Sequence, residues 1–222
     1  AAGVFREFGI DFCCGGGKRL ADVCQIKGIQ LQSVTNKLEP LLNIPQNSVH
    51  NYNDWTPAFL IDFIINTHHA FVRKKTDEIS AHALKVARVH GERHPENVKI
   101  FRKFLDLGNE MTEHLEAEEN TVFPLIKRIE QNVKNEKSTS KENLKMLRNE
   151  LDKMVDDHED AGNVMEEIRT LSNDYTPPQD ACTTYRILYQ NLEGFEQDLH
   201  KHVHLENNIL FKKAENLIRS LS

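Results

Sequence analysis

Two matching stretches of sequence give the strongest indication of the fold: His114-Leu115-Glu116-Ala117-Glu118 and His202-Val203-His204-Leu205-Glu206. In each stretch a histidine precedes a glutamate by four residues, a spacing that puts both side chains on one face of an α-helix. Apolar residues lead up to each pair at intervals of three and four, as on the buried seam of a helix bundle. Ligand-type side chains therefore fall where the pattern requires burial.

A third segment repeats this seam around His158. The predicted seam residues are Ile100, Phe104, Leu107, Met111, His114 and Glu118 in the second helix, Leu144, Leu147, Leu151, Met154, His158, Met165 and Ile168 in the third, and Leu188, Leu192, Phe195, Leu199, His202, Glu206 and Ile209 in the fourth. Three helices of one bundle thus carry polar groups toward its interior.

Four long segments of helical period occupy residues 57–90, 96–131, 140–171 and 179–221. Pro57 stands in the first turn of the first segment, where proline is tolerated. Turn-rich breaks separate the segments, and no alternating β pattern competes with them. We predict an all-α protein built on an antiparallel four-helix bundle with short loops.

The first 53 residues differ from the rest. They read as short helical pieces broken by Cys13-Cys14-Gly15-Gly16-Gly17, by Pro40 and by Pro45, and residues 42–53 have the composition of a linker. The apolar residues of this part are Phe5, Phe8, Ile10, Phe12, Leu20, Ile26, Ile29, Leu31, Val34, Leu38, Leu41 and Leu42. We expect a small helical domain at residues 1–53 and the bundle at residues 54–222.

Composition excludes several classes of function. The 222 residues contain 28 Lys and Arg against 34 Asp and Glu, a net charge of −6, which argues against binding to nucleic acid or an anionic membrane. No apolar run has the length of a membrane span, and no secretory signal is visible. Four Cys in a chain of this length do not form a disulfide scaffold. We expect a soluble protein in the reducing cytoplasm.

Buried histidines and carboxylates are costly unless they are paired or bind a metal. Nitrogen and oxygen ligands that converge inside a four-helix bundle are typical of di-iron and di-manganese proteins. The first helix contributes either His68 or His69, and local periodicity does not distinguish them. With His69 the set has four His and two Glu, enough for two metals bridged by both carboxylates. A lone buried His is more often a hydrogen-bonded core residue, but the joint occurrence favours metal binding.

Two further carboxylates lie near this seam. Glu110 precedes His114 by one turn, and Asp157 adjoins His158. Either could accept a hydrogen bond from a ligand histidine or line an access path, and an ordinary solvated carboxylate is the alternative. The other histidines are expected on solvated faces, at loop ends or on faces turned away from the seam: His50, His82, His90, His94, His200 and His204.

The adjacent cysteines Cys13 and Cys14 are the second unusual feature. Paired thiols can bind a soft metal or exchange disulfides, and the glycines behind them let the backbone approach a partner closely. No second cysteine pair completes a four-thiolate site. A redox or partner contact and a loop with two inert thiols remain equal alternatives on the residues alone.

Several segments together resemble the bacterial iron–sulfur cluster repair di-iron proteins, the RIC family with its YtfE, ScdA and DnrN types. The matching segments are Gly9-Ile10-Asp11-Phe12-Cys13-Cys14-Gly15-Gly16, His114-Leu115-Glu116-Ala117-Glu118-Glu119 with Val122-Phe123-Pro124, Asp157-His158-Glu159-Asp160-Ala161-Gly162, Ala181-Cys182-Thr183-Thr184, and His202-Val203-His204-Leu205-Glu206-Asn207-Asn208. They cover nearly the whole chain. The cysteine pair departs from the pattern, because three glycines and Lys18 follow it where the family usually has two glycines.

The resemblance implies a hemerythrin-like bundle that holds two non-haem irons, oxo- or hydroxo-bridged. By motif position the six ligands are His69, His114, Glu118, His158, His202 and Glu206, with the two glutamates bridging and closest to the chemistry. The resemblance also implies a small N-terminal domain in which Cys13 and Cys14 would contact a damaged cluster or a redox partner.

Three functions follow as hypotheses from this resemblance. The first is repair of iron–sulfur clusters damaged by nitric oxide or oxidative stress, with iron donation to the damaged proteins. The second is reduction of nitric oxide to nitrous oxide, and the third is an oxygen- or iron-sensing module. Nitric oxide or oxygen would be the small ligand, and a homodimer stays open.

Overall fold

The computed structural model describes residues 2–10, 12, 16, 18–42 and 51–221 of the chain. Within these residues the secondary structure is entirely helical. Three short helices come first: α1 (Ala2–Glu7), α2 (Leu20–Lys27) and α3 (Leu31–Leu42). A 3₁₀ turn at Tyr52–Asp54 then leads into four long bundle helices.

Three of the four bundle helices are interrupted by a single π-helical turn. The first consists of α4 (Pro57–Ile64), the turn Ile65–His69 and α5 (Ala70–His90). The second consists of α6 (Glu96–Ala117), the turn Glu118–Val122 and α7 (Phe123–Lys134). The third is the uninterrupted α8 (Lys141–Leu171), and the fourth consists of α9 (Thr183–Leu205), the turn Glu206–Leu210 and α10 (Phe211–Ser220).

Side-chain caps fix where the first and third bundle helices begin. The Thr56 hydroxyl accepts a hydrogen bond from the Phe59 N–H at 3.3 Å, and the Ser140 hydroxyl accepts one from the Asn143 N–H at 3.3 Å. The fourth helix begins later than residue 179, where the sequence predicted it. Two prolines precede this point, and the Ala181 N–H donates to the Pro178 carbonyl at 3.1 Å, so the chain turns before the helix begins.

The four helices pack in a closed ring. Helix α5 contacts α6 and α9, α6 contacts α8, and α8 contacts α9. Short connections join sequential neighbours, which makes them antiparallel. The predicted all-α bundle is confirmed. None of the helices in the described part of the chain has the length and apolar composition needed to cross a membrane.

The apolar interior is divided into two cores. One lies among α5, α6, α8 and α9 and includes Phe104, Met165 and Phe195. The other lies among α4, α7, α8 and α10 and includes Ile126 and Leu147. The predicted seam residues of all three helices are buried, and the polar ones lie between these two cores. The fold thus sets a polar layer inside an apolar bundle.

Helices α1 to α3 pack around a small cluster of their own, built on Ile10, Cys24 and Val34. Ile26 is 83% exposed and adds nothing to this cluster. The predicted break at Pro40 is wrong, because α3 continues through it. Pro40 lies in the last turn of the helix, where its missing N–H removes one backbone hydrogen bond. Pro45 and most of the predicted linker lie outside the described residues, and the boundary after residue 53 stays a prediction.

Candidate metal centre

Six side chains from the four bundle helices meet in the polar layer. They form two groups that could each hold a metal ion: His69, Glu118, His202 and Glu206 in one, and His114, Glu118, His158 and Glu206 in the other. Within each group the ligand atoms lie within 4.8 Å of one another. Both glutamates belong to both groups. The structure therefore brings together all six residues that the sequence singled out.

Glu206 lies between the two groups. Its Oε1 is 2.9 Å from His202 Nε2 and 3.7 Å from His69 Nε2, while its Oε2 is 3.2 Å from His158 Nε2. One oxygen of this carboxylate thus faces two histidines of the first group, and the other oxygen faces His158 of the second. Glu206 is therefore within reach of both groups.

Glu118 completes the layer from the second helix. Its Oε2 is 3.3 Å from His69 Nε2 and 3.6 Å from His114 Nε2. The Nε2 atoms of His114 and His158 are 3.0 Å apart. This is about the separation of two ligands that each stand about 2.1 Å from one ion at a right angle.

The π-helical turns coincide with the ligands. His69 ends the first turn, and Glu118 and Glu206 begin the other two. A π turn inserts one extra residue into an α-helix and is frequent at functional sites. The sequence did not predict these turns, since a spacing of four residues between His and Glu also fits a regular α-helix.

Of His68 and His69, the structure places His69 in one of the two groups and leaves His68 outside both. His69 is completely buried and belongs to the first group. His68 points elsewhere: its Nδ1 lies 3.0 Å from Asp198 Oδ1, and its ring stacks on that of His202 at a centroid distance of 5.7 Å. His68 packs beside the layer without joining it.

Three of the four histidines in the layer have a hydrogen-bond partner at the other ring nitrogen. Glu119 Oε1 is 2.7 Å from His69 Nδ1, Asn207 Oδ1 is 2.9 Å from His158 Nδ1, and Asp157 Oδ2 is 3.3 Å from His114 Nδ1. Such acceptors orient a ligand histidine and fix its tautomer. The sequence indicated Asp157 as one alternative and missed Glu119 and Asn207. The only signal for these two is their position directly after Glu118 and Glu206.

Glu110 has a different place. It is exposed and lines a cavity beside His114, and no hydrogen bond to a ligand histidine is described for it. This position is compatible with an access path and equally with an ordinary solvated carboxylate, the other alternative for Glu110. His202 is fully buried and its Nδ1 has no hydrogen-bond partner among the described residues.

Burial and charge together shift the pKa values of the two most strongly paired histidines. Burial would lower the pKa of His69, but the carboxylates of Glu118 and Glu206 outweigh it and raise that pKa to about 10. Burial is outweighed at His158 as well, chiefly by Glu206, and its pKa rises to about 9. Without an ion, these two imidazoles hold protons at neutral pH.

The pKa values of the other four residues of the layer are shifted as well. Burial and the charge of His158 lower the pKa of His114 to about 4, and burial lowers the pKa of His202. Burial and the charge of Glu206 raise the pKa of Glu118 to about 7. Burial opposes ionisation of Glu206, yet its histidine neighbours hold its pKa well below the usual range. Protons on two histidines therefore offset the buried carboxylate, and a divalent ion could replace them.

The donor set fits a non-haem iron site. Both carboxylate oxygens of Glu118, His69 Nε2 and Glu206 Oε2 are buried without an aligned hydrogen bond to any described residue. Such orphaned polar atoms are costly in an apolar interior unless an ion satisfies them. Two imidazoles and two carboxylates for each ion are a nitrogen and oxygen set that suits iron or manganese.

The cysteine pair cannot be placed in the same way, because Cys13 and Cys14 lie outside the described residues, as does His50. Two neighbours of the pair are described. The Phe12 ring packs against His200 and His204 at 5.8 and 6.1 Å, and the Asn208 amide donates to the Phe12 carbonyl at 3.4 Å. Phe12, which directly precedes the cysteines in the chain, thus touches the fourth bundle helix on both sides of His202 and Glu206.

Two family models match the chain, and several known proteins are similar to it over nearly its whole length. The family model of the hemerythrin HHE cation binding domain matches residues 60–214, and a model described as a domain of unknown function matches residues 1–42. The iron-sulfur cluster repair protein ScdA of Staphylococcus epidermidis is 33% identical over 96% of this chain and 92% of its own length. The iron-sulfur cluster repair protein YtfE of Escherichia coli O157:H7 is 33% identical over 96% of this chain and 90% of its own. A probable iron-sulfur cluster repair protein of Haemophilus influenzae is 34% identical over 97% and 92%.

Proposed function

Because this chain belongs to the family of iron-sulfur cluster repair proteins with a hemerythrin HHE domain, we propose that it repairs damaged iron–sulfur clusters by means of two non-haem irons. The observation that carries the proposal is the buried layer in which two groups of ligands share Glu118 and Glu206. Its ligands are His69 and His202 for one ion, His114 and His158 for the other, and the two glutamates for both. The irons would be oxo- or hydroxo-bridged.

Iron bound in this layer would supply an ion that can be transferred or that can bind a small ligand such as nitric oxide or oxygen. Each group offers two imidazoles and two carboxylates. With four protein donors for each ion, an iron held here would still have room for a small ligand. The protein holds the ions with neutral nitrogen donors and two shared carboxylates, and it excludes bulk water by burying the layer. This arrangement supports selective binding of iron that can still leave the layer.

The clients of the repair would be iron–sulfur proteins damaged by nitric oxide or oxidants, in the cytoplasm. We propose that Cys13 and Cys14 contact the damaged cluster or a redox partner. The support is the position of Phe12 and Gly16 on either side of the pair: Phe12 packs on His204, and a Cβ added at Gly16 would lie 3.1 Å from the Asn208 side chain. Thiols that lie between Phe12 and Gly16 in the chain could pass iron or electrons to a client. A homodimer is compatible with this proposal.

The test of the ligands is metal analysis after anaerobic loading with Fe²⁺. We expect about two irons per chain in the natural protein and fewer than one in Glu118→Ala and Glu206→Ala. Glu196→Ala is the matched control, since Glu196 is also a buried carboxylate, 2% exposed, but pairs with Arg169 outside the layer. Unchanged iron content in both ligand variants would overturn the assignment.

The test of repair uses protein loaded with ⁵⁷Fe and a [4Fe–4S] protein whose cluster has been destroyed by nitric oxide. We expect the client to regain its cluster absorption and its Mössbauer spectrum to show the ⁵⁷Fe. A client that recovers without the label would rule out iron donation. Cys13→Ser and Cys14→Ser should slow the recovery while leaving two irons bound.

Because both groups share Glu118 and Glu206, the two places that could hold a metal ion lie side by side. This observation supports a second function. Two reduced irons held side by side would supply the two electrons that convert two nitric oxide molecules and two protons into one nitrous oxide and one water. Headspace nitrous oxide above the reduced protein distinguishes the two functions. Many turnovers per chain would establish an enzyme, whereas less than one nitrous oxide per chain would leave repair as the better description.

A further inference from the structure

A cavity of about 650 Å³ opens beside the metal layer, between α6 and α8. Its charged lining is strongly acidic, with five carboxylates against one lysine. These residues are Glu110, Glu113, Asp157, Asp160, Glu167 and Lys153. Nothing in the ligand set itself requires so many carboxylates on this wall. Low-dielectric walls lined with one sign of charge raise the local concentration of the opposite ion.

The cavity reaches the layer at one ligand. His114 lines it and is 6% exposed, whereas His158 is 2% exposed and the other four donors are completely buried. None of those five lines a described cavity. An ion that moves between solvent and the layer through an existing opening in the described part of the molecule therefore passes His114.

His114 is also the ligand histidine whose outer contact is longest. Its Nδ1 stands 3.3 Å from Asp157 Oδ2, compared with 2.7 Å between His69 and Glu119 and 2.9 Å between His158 and Asn207. Asp157 lines the same cavity, and its side chain is 37% exposed. A carboxylate at this place can hold a cation that has left the layer and can orient the imidazole when the cation enters.

The cavity on the other side of the layer has the opposite character. Its volume is about 690 Å³, its charged lining includes Lys18, Lys201 and Lys212, and none of the six donors lines it. His68, whose Nδ1 contacts Asp198, stands where this cavity approaches the layer. Three lysines disfavour entry of a divalent cation. The difference in charge between the two cavities gives iron a preferred side.

We propose that the acidic cavity between α6 and α8 is the path by which Fe²⁺ enters and leaves the metal centre, with Asp157 and His114 as its inner end. The inference rests on the proposed function, because it concerns how the iron used in repair is exchanged. The carboxylates at the mouth would attract the ion, Asp157 would receive it, and His114 would then bind it through Nε2 while its Nδ1 faces Asp157. The opposite cavity stays free for other species.

The first experiment removes charge from the mouth of the path. In the triple variant Glu110→Gln, Glu113→Gln and Asp160→Asn, stopped-flow uptake of Fe²⁺ by ion-free protein should slow by about tenfold at low salt. The rate should also lose most of its dependence on ionic strength. The control Asp77→Asn, Asp106→Asn and Glu116→Gln removes the same charge from exposed positions that line no described cavity, and should keep the natural rate.

The second experiment narrows the path without changing its charge. Asn163 is exposed on α8 and lines the cavity, so Asn163→Trp should obstruct it, while Asn163→Ala should not. A tryptophan side chain in the path raises the free-energy barrier equally for the entry and the release of iron. Uptake of Fe²⁺ and its removal by a strong chelator should therefore slow by the same factor, with the final iron content unchanged.

The outcomes separate this inference from the function on which it rests. If the natural protein does not take up about two irons, the proposed function fails and no path is needed. If it takes up two irons, but the mouth variant and the tryptophan variant load and release iron within twofold of the natural rates, the path is wrong and the function stands. If the control triple variant also takes up and releases iron more slowly, the effect is due to net charge alone and the proposed path is wrong.

Discussion

At the scale of single residues, Glu206 has more described histidine contacts than Glu118, the other carboxylate of the polar layer. It contacts His202, His69 and His158, and their charges hold its pKa well below the usual range. In the ion-free protein this carboxylate balances the protons on His69 and His158. Its removal would take away the carboxylate beside His158 Nε2, whereas His69 would keep the carboxylates of Glu118 and Glu119.

Glu206→Gln tests this balance in ion-free protein. Breaking a buried pair by removal of one partner typically costs about 3 kcal/mol, so the free energy of unfolding should fall by about that amount at pH 7. Urea denaturation measures it. Glu116→Gln, which removes the same charge from an exposed position on α6, serves as a control for charge alone and should change stability far less. A loss below about 1 kcal/mol in Glu206→Gln would show that the imidazoles lose their protons instead.

The pKa values of His69 and His158, about 10 and about 9, predict that iron and protons compete. Both imidazoles are protonated at pH 7.5 without an ion and must be neutral to bind one. Loading at pH 7.5 should therefore release about two protons per chain, and apparent affinity should rise with pH up to about 10. Calorimetry in buffers of different ionisation enthalpy counts the protons. Loading without proton release would show that His69 and His158 are already neutral in the ion-free protein.

Much of this layer could be predicted from residue spacing. His114, His158 and His202 occupy seam positions, and Glu118 and Glu206 follow from the repeated pairs. His69 could not be separated from His68, because both neighbour apolar residues at helical spacing, and only the family resemblance favoured it. Glu119 and Asn207 were missed because each follows a ligand directly, and the local backbone that turns them toward a histidine has no signature in the apolar period.

At the scale of elements, the three π turns set the angle between the ligands and the cores. Each extra residue rotates the helix beyond it, so that α7 and α10 bury their own apolar faces after Glu118 and Glu206 have turned inward. The apolar pattern did predict the lengths of the long helices. It did not predict the turns or the later start of α9, because both depend on backbone hydrogen bonds rather than on which side is apolar.

Deletion of Asn120 tests the turn at Glu118–Val122. Asn120 is exposed, so its loss removes no buried contact, and a shortened segment can return to regular α-helix. We expect a folded protein that binds fewer than one iron per chain, because Glu118 no longer points into the layer. Asn120→Ala keeps the length and should bind two irons. Circular dichroism and metal analysis together decide it, and full iron binding by the deletion variant would show the turn to be dispensable.

At the scale of the whole molecule, the polar layer divides the interior into two apolar cores. Helix α8 contributes residues to both, and the other three bundle helices cross the layer at their π turns. The ligands and the residues that contact their outer ring nitrogens lie between the cores. Each half has an apolar core of its own, while the layer contains orphaned donors until an ion satisfies them.

Iron should therefore stabilise the entire bundle. A ligand that binds only the folded state adds about 2.7 kcal/mol when its free concentration is a hundred times its dissociation constant. The single tryptophan, Trp55, packs against Phe59 and Phe63 at the α4 end, and its fluorescence reports one half of the molecule. Far-ultraviolet circular dichroism reports all helices. Anaerobic loading should move both urea midpoints upward together in the natural protein and move neither in Glu118→Ala. A shift of one signal alone would show that the halves unfold independently and that the layer does not join them.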